Sequence, residues 1–150
     1  MVYGGIIFLL FTIGIADCLK DIRALLIPTK KQKTEIVLLL IGSLFIMAIT
    51  YLYAKSWFHY ILGILGTAYL ILSWARIGIT AKGFNSLRGY GSPGKWNRLR
   101  RVHVSLKNNV RVSFIRRNYY EDIHYYDSED YDIIVTLLLE NLPDDVVQIV

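Results

Sequence analysis

Cysteine is nearly absent from this chain of 150 residues, which contains Cys18 alone. A single cysteine excludes an intrachain disulfide framework and any zinc or iron–sulfur site built from several cysteines. Charged residues are also scarce, at 19% of the chain, whereas an average soluble domain has about 25%. Only three prolines occur and no segment has a biased composition, which argues against a disordered chain. A chain of this length has room for one small domain and a few membrane spans.

Three stretches without charged side chains hold much of the apolar content. They cover residues 1–16, 36–54 and 56–75. A helix needs about 20 apolar residues to cross a bilayer, and the last two stretches meet that length unaided. The first meets it only if its helix continues past Asp17 towards Pro28, where a proline would end it. We therefore predict three transmembrane helices in a region of residues 1–75, with spans over about residues 2–19, 36–54 and 56–75.

The first stretch has a rival interpretation as a cleaved signal peptide. Such a peptide begins with basic residues and ends in small residues at a cleavage site. Here no Lys or Arg precedes Lys20, and Asp17 stands directly before Cys18. The pattern therefore favours a retained membrane span.

Basic residues are distributed unevenly among the connections. The second connection holds only Lys55, and the chain after Arg76 is again rich in basic residues. The first connection holds five, namely Lys20, Arg23, Lys30, Lys31 and Lys33. Because cytoplasmic loops carry an excess of Lys and Arg, we predict a multi-pass protein of the cell membrane with its N-terminus outside and its C-terminal segment in the cytosol.

The C-terminal segment, residues 76–150, is divided by charge. Residues 76–117 contain eleven Lys or Arg and no Asp or Glu, whereas residues 118–150 contain nine Asp or Glu and no Lys or Arg. The two halves must therefore either meet each other or face different partners.

Apolar periodicity in this segment predicts strands and then a helix. Val102, Val104 and Leu106 alternate with polar residues, and the alternation resumes at Val110 after an Asn-Asn turn, which indicates a β-hairpin. Weaker strand signals cover residues 76–84 and 122–127. A helix is predicted from Ser128, with an acidic first turn and an apolar face, and it ends before a proline. The apolar face consists of Ile133, Ile134, Leu137 and Leu138.

One sequence pattern resembles the membrane-anchored PH-like domains of bacteria. It consists of Arg76–Phe84, then Trp96, Leu99 and Val102, and a terminal apolar helix. In that pattern an I-T-x-x-G-[IF] strand follows the last span, and a Trp starts the strand that leads into a hairpin. The resemblance implies a small α+β PH-like cytosolic module, with an antiparallel sheet and one C-terminal helix. It also implies a bacterial protein with a binding role, and it carries over no functional residue.

Motifs for chemistry are weak. Gly89 to Lys95 matches the phosphate-binding pattern G-x-x-x-x-G-K, but Trp96 follows where Ser or Thr should hold magnesium. The acidic run 127–132 begins like a calcium loop but has an aspartate where that loop needs a glycine. His103 and His124 could face each other across the sheet, yet two histidines without a third ligand are weak evidence for a metal. We expect a non-enzymatic protein with no catalytic residue, no cofactor and no metal.

Two groups of residues are candidates for contacts outside the membrane. Basic residues attract anionic lipid of the inner leaflet, which predicts headgroup contacts for Arg98, Arg100, Arg101, Arg116 and Arg117. The alternatives are a solvated face that only reflects topology and nucleic-acid binding, against which the acidic half and the membrane tether argue. Tyrosine-rich surfaces suit protein contacts, which predicts a partner surface of Tyr119, Tyr120, Tyr125, Tyr126 and Tyr131.

Within the third span, Gly63, Gly66 and Thr67 place small residues on one face of the helix. Small residues allow helices to approach closely, so these three are predicted to pack helices together. Packing within the same chain is favoured over a homo-oligomer contact.

The function predicted from these patterns is a non-enzymatic integral membrane protein. Its cytosolic binding module would serve the scaffolding or regulation of a membrane complex. The expected partners are anionic membrane lipids and another membrane or cytosolic protein, and nucleic acid is not expected. The alternative is self-protection, in which the protein confers immunity against a membrane-active toxin or bacteriocin. The sequence does not separate these two functions.

Overall fold

The structure is a computed structural model that describes residues 2–86, 94–116 and 121–149. In these ranges the chain forms four α-helices and two four-stranded sheets. The helices are α1 (Val2–Arg23), α2 (Lys33–Tyr53), α3 (Trp57–Ala75) and α4 (Tyr131–Asn141). The strands are β1 (Leu25–Pro28), β2 (Gly78–Thr80), β3 (Gly83–Asn85), β4 (Gly94–Lys95), β5 (Leu99–Leu106), β6 (Val110–Arg116), β7 (Glu121–Tyr126) and β8 (Val147–Ile149).

The chain divides into two compact units. The helical unit comprises Met1–Arg23 and Lys31–Arg76, and the β unit comprises Ala24–Lys30 and Ile77–Val150. The β unit thus includes the short segment between α1 and α2, because β1 pairs antiparallel with β2. The sequence predicts a helix that continues to Pro28, but α1 ends at Arg23 and the apolar residues that follow form the edge strand β1.

In the helical unit, α3 packs against both α1 and α2. The rings of Phe11 and Tyr69 join α1 to α3, with centroids 5.9 Å apart. A Cβ atom on Gly14 would lie 2.7 Å from the Tyr69 ring, so the absence of a side chain there permits this close approach. Glycine at such positions brings helix backbones together.

Two of the described helices, α2 and α3, are long and apolar enough to cross a membrane, with mean hydropathies of 2.4 and 1.4. The prediction of three transmembrane helices is therefore wrong. The reason lies in α1, which has four charged side chains in its last two turns. Its uncharged part, from Val2 to Ala16, would reach about 22 Å at 1.5 Å per residue, which is short of a hydrocarbon core of about 30 Å.

The β unit contains two sheets with the strand orders β1-β2-β3-β4 and β7-β6-β5-β8. We call them the first and the second sheet. The predicted hairpin is confirmed, since β5 and β6 pair antiparallel and Leu106 lies opposite Val110. The short strand β8 pairs parallel with β5 on its other side.

One face of the second sheet, which we call its inner face, forms the core of the β unit. Val102, Val104 and Phe114 on this face are fully buried. Helix α4 adds Ile134 and Leu138 to the same cluster, as do apolar residues of the first sheet. Phe84 of β3 stacks on Phe114 with ring centroids 4.2 Å apart, which joins the two sheets.

The predicted PH-like module, an antiparallel sheet followed by a terminal helix, is also wrong. The strands form two separate sheets, and one of them begins with a strand from between α1 and α2. Helix α4 begins at Tyr131 after a 3₁₀ turn over Ser128–Asp130, and the parallel strand β8 follows it. Short strands such as β1 and β8 give little sequence signal, because they are defined by the partner they pair with.

Candidate functional site on the β5–β6 hairpin

The pairing register sorts the side chains of the hairpin onto two faces. Because successive residues of a strand point to opposite faces, the buried residues Val102 and Val104 set Arg101, His103 and Ser105 on the outer face. The register places Ser105 opposite Arg111. The outer face of the second sheet is therefore polar and basic where β5 and β6 meet.

A β-bulge at the start of β5 increases the exposure of arginine. Leu99 pairs with Arg116 and Arg101 pairs with Ile115, so Arg100 is an extra residue in the ladder. Such an insertion bends the strand and breaks its strict alternation. As a result, Arg100 and Arg101 are both exposed, and Arg98 in the preceding 3₁₀ turn is exposed as well.

We define the basic face as Arg101, His103, Lys107 and Arg111. Arg101, Lys107 and Arg111 are exposed and His103 is half-buried. Lys107 lies six positions after Arg101 along the hairpin, a distance of about 20 Å at about 3.3 Å per position. Neither β5 nor β6 contains an acidic residue, and Glu121 of β7, opposite Ile115, is the acidic residue that the strand pairing adds to this face.

Acidic side chains lie on the other side of the second sheet. Helix α4 packs on the inner face through Ile134 and Leu138, and its residues Asp132 and Glu140 are exposed. The exposed basic residues of the hairpin and the exposed acidic residues of α4 therefore lie on opposite sides of the second sheet. The two halves also meet where Arg116 forms an ion pair with Asp122.

Arg116 is turned into the β unit. Its Nη2 lies 3.0 Å from the Asp122 carboxylate, and the two side chains are only 16% and 10% exposed. The Ser86 hydroxyl donates to the same carboxylate at 3.1 Å and accepts a hydrogen bond from Arg116. The Arg116 Nε is buried and has no hydrogen-bond partner among the described residues. Arg116 is therefore held by an internal network, unlike Arg98, Arg100 and Arg101, which are exposed.

The inner face also holds a buried histidine and tyrosine. The His124 Nδ1 and the Tyr126 hydroxyl are 3.0 Å apart, and the His124 ring meets Phe114 edge to face at 5.0 Å. Burial raises the pKa of Tyr126 well above its usual value. His103 lies on the outer face, so the expectation that the two histidines face each other is not met.

The three described tyrosines of the predicted partner surface do not lie together on one exposed surface. Tyr126 is fully buried in the core, and Tyr131 packs half-buried against that core. Tyr125 is half-buried on the outer face, opposite Arg111. Four candidates lie outside the described residues, namely Arg117, Tyr119, Tyr120 and the loop 89–93 of the phosphate-binding pattern.

The small residues of α3 lie at helix contacts within the chain. Gly63 and Gly66 are buried. A Cβ atom on Gly63 would overlap the Thr50 side chain of α2, and one on Gly66 would lie 3.4 Å from the Phe11 ring of α1. The Thr67 hydroxyl donates to the Gly63 carbonyl at 2.9 Å.

Sequence reasoning missed a polar cluster in the helical unit around Trp74. The Lys31 ammonium lies 4.5 Å from the centroid of the Trp74 ring and donates to the Trp74 carbonyl at 2.8 Å. The Trp74 indole donates to Glu35 at 3.3 Å. Desolvation lowers the pKa of Lys31, and the nearby Glu35 opposes that shift. Two sequence signals could have suggested this cluster: the expected position of Trp74 at a membrane interface, and the basic connection that contains Lys31.

Neither relatives nor metal ligands identify a chemistry for this chain. No protein-family model, no curated protein and no solved structure matches it. Within residues 2–86, 94–116 and 121–149, no group of three or more His, Cys, Asp or Glu side chains is arranged to hold a metal ion. The exposed side chains that remain as a guide to function include the basic face of the second sheet and the apolar surface of α2.

Proposed function

We propose that this protein is a non-enzymatic binding protein anchored in the cell membrane by α2 and α3. Its β unit would serve as a cytosolic binding module in the scaffolding or regulation of a membrane complex. The observation that carries the proposal is the surface of α2, a helix of 21 residues of which none is buried. Leu44, Phe45 and Leu52 are 70%, 66% and 72% exposed, and such a continuous apolar surface would be unfavourable in water.

The charges that flank the two helices support one orientation. The turn between α2 and α3 contains only Lys55. Lys30, Lys31 and Lys33 stand at the start of α2, and Arg76 follows α3. Because positive residues remain on the cytoplasmic side, both outer ends of this helix pair are assigned to the cytosol. The β unit consists of the segments that directly precede and follow the pair, so it is assigned to the cytosol too.

A binding role for the β unit rests on its charges. The basic face is exposed on one side of the second sheet and the acidic side chains of α4 are exposed on the other. Exposed charged side chains can attract partners of opposite charge. The β unit therefore offers two surfaces of opposite sign, which suits a module that joins two components.

Anchoring and orientation are tested by thiol labelling in intact cells. The variants Lys55→Cys and Lys107→Cys place a thiol in the helix turn and in the β5–β6 turn, and both sites are exposed. Cys18 is buried, so wild-type protein supplies the background. We expect a membrane-impermeant maleimide to label the Lys55→Cys variant in intact cells, and the Lys107→Cys variant only after lysis.

Two results would contradict the proposal. Extraction of the wild-type chain by alkaline carbonate without detergent would contradict membrane anchoring. Labelling of the Lys107→Cys variant in intact cells would contradict the orientation. Labelling of that variant after lysis is the control, since it verifies that the protein is present and its new thiol is reactive.

A further inference from the structure

We propose that the basic face binds the anionic phospholipid headgroups of the membrane in which the protein is anchored. This proposal rests on the proposed function, because the two spans supply the lipid surface. Arg101, Lys107 and Arg111 are exposed along one hairpin, and β5 and β6 supply no carboxylate to neutralise them. Guanidinium and ammonium groups donate hydrogen bonds to phosphate oxygens and gain from their negative charge.

The side chains next to the basic face suit a membrane interface. On β7, Tyr125 lies opposite Arg111, and Ile123 lies opposite Ser113. Ile123 is 42% exposed, and Tyr125 is half-buried with its ring on the outer face. Tyrosine is enriched where headgroups meet acyl chains, and basic residues beside apolar ones are typical of segments that lie in this interface. The outer face therefore combines a basic strip with an apolar and aromatic strip.

Three exposed basic residues can hold the β unit on anionic lipid only if the protein is already anchored in the same membrane. Each Lys or Arg near an anionic membrane surface strengthens association by roughly fivefold, so three would give on the order of 100-fold. That is a weak affinity for a free domain. Anchoring in the same bilayer makes the contact intramolecular, and the effective concentration of lipid then drives binding without further contacts.

The same face fits nucleic acid less well. Proteins that bind single strands stack bases on several aromatic side chains, whereas Tyr125 is the one aromatic residue that the described strands of the second sheet place on the outer face. The acidic side chains of α4 would also repel a polyanion that extends around the β unit. A flat anionic surface contacts one side of the sheet and avoids them.

The experiment uses the full-length chain in lipid nanodiscs. The variant Asn108→Cys carries a fluorescent dye in the β5–β6 turn, and rhodamine-labelled lipid serves as the energy acceptor. We expect transfer to be at least twofold stronger with 30% phosphatidylglycerol than with phosphatidylcholine alone. It should fall in 0.5 M NaCl, because salt screens exposed charges.

Matched charge variants locate the contact. The double variant Arg101→Gln/Arg111→Gln should remove most of the lipid-dependent gain in transfer. The control Lys82→Gln/Lys95→Gln removes two exposed basic residues of the β unit that lie off the hairpin, so it should retain that gain. An equal loss of the lipid-dependent gain in both variants would show that net charge alone causes it and would overturn the proposal. Full retention of the gain in Arg101→Gln/Arg111→Gln would overturn it as well. Equal transfer with neutral lipid would overturn it too.

Competition separates other anionic partners from lipid. If a short RNA or a polyglutamate peptide at micromolar concentration displaced the hairpin from nanodiscs with 30% phosphatidylglycerol, the basic face would be a binding surface for that partner and the lipid proposal would fail.

Co-elution of the chain with nanodiscs tests the membrane anchor independently. A chain that stays outside the discs would contradict the proposed function. Its flotation with anionic vesicles, reduced by Arg101→Gln/Arg111→Gln, would then still support the basic face, and absence of flotation would overturn it.

Discussion

The guanidinium of Arg116 and the carboxylate of Asp122 lie 3.0 Å apart on the inner face of the second sheet. They join the basic half of the C-terminal sequence to its acidic half. Ser86, the residue directly after β3, forms hydrogen bonds with both of them, so the network also connects the first sheet to the second. Buried polar groups that are paired in this way specify how elements pack, because each alternative packing would leave a charge unpaired.

Replacing Asp122 by Ala should lower the free energy of unfolding by about 3 kcal/mol, because it leaves a largely buried guanidinium without its partner. Urea unfolding of the full-length chain in detergent measures this loss. Replacing both residues, as Arg116→Met/Asp122→Leu, should recover at least half of it, because neither charge remains buried. If the double variant lost as much free energy of unfolding as the two single variants together, the two residues would not be energetically coupled. Arg111→Met, at an exposed site, is the control.

The ion pair of Lys30 and Asp127 should contribute little to stability despite its short distance of 2.6 Å. Its side chains are 44% and 59% exposed, and pairs in such surroundings contribute about 0–1 kcal/mol. Lys30→Ala should therefore change the urea midpoint far less than Asp122→Ala does. A comparable loss would mean that the Lys30 backbone, whose N–H donates to the Tyr125 carbonyl at 2.7 Å, is disturbed as well.

Adding a methyl group at Gly63 should loosen the contact between α2 and α3. Its Cβ would overlap the Thr50 side chain, and overpacking of this kind costs about 1–3 kcal/mol. The expected result for Gly63→Ala is unfolding at a lower mole fraction of sodium dodecyl sulfate in mixed micelles. Gly5→Ala is the matched control, because nothing lies within 4 Å of a Cβ atom there. It should be neutral or slightly stabilising, and equal effects at both glycines would refute close packing at Gly63.

Tyr126 should make the β unit sensitive to alkali. Burial raises its pKa well above the usual value of 10.0, so it stays neutral in the folded state while the unfolded chain ionises above about pH 10. The stabilisation is fully present below pH 10 and is lost as the pH rises above it, at about 1.4 kcal/mol per pH unit until the folded pKa is reached. Urea unfolding between pH 9 and pH 11.5 measures the slope.

The variant Tyr126→Phe should be less stable at pH 8, because it loses the hydrogen bond to His124, and should show a shallower decline above pH 10. Tyr125→Phe, at the neighbouring half-buried site, is expected to keep the decline of the wild type. Parallel slopes for wild type and Tyr126→Phe would assign the alkaline loss to other groups.

Local sequence patterns led to several elements of the fold. The alternation through Val102 and Val104 and the turn before Val110 identified the hairpin, because a strand with one buried face needs a period of two. The uncharged stretches identified α2 and α3, because length and hydropathy are properties of the segment itself. The same patterns gave a wrong prediction for α1, whose charged last turns leave too little apolar length for a membrane span. They also missed β1 and β8, short strands that form by pairing with β2 and β5.

The sequence by itself determined the composition of each segment: two long apolar helices, a basic stretch followed by an acidic one, and an alternating hairpin. The tertiary structure decided which side of the sheet each charge occupies. Arg101 and Arg116 belong to one basic stretch, yet pairing and a bulge set the first in solvent and turn the second onto Asp122. The physical reason is that the direction of a strand side chain depends on register, so one residue of offset moves it to the opposite face.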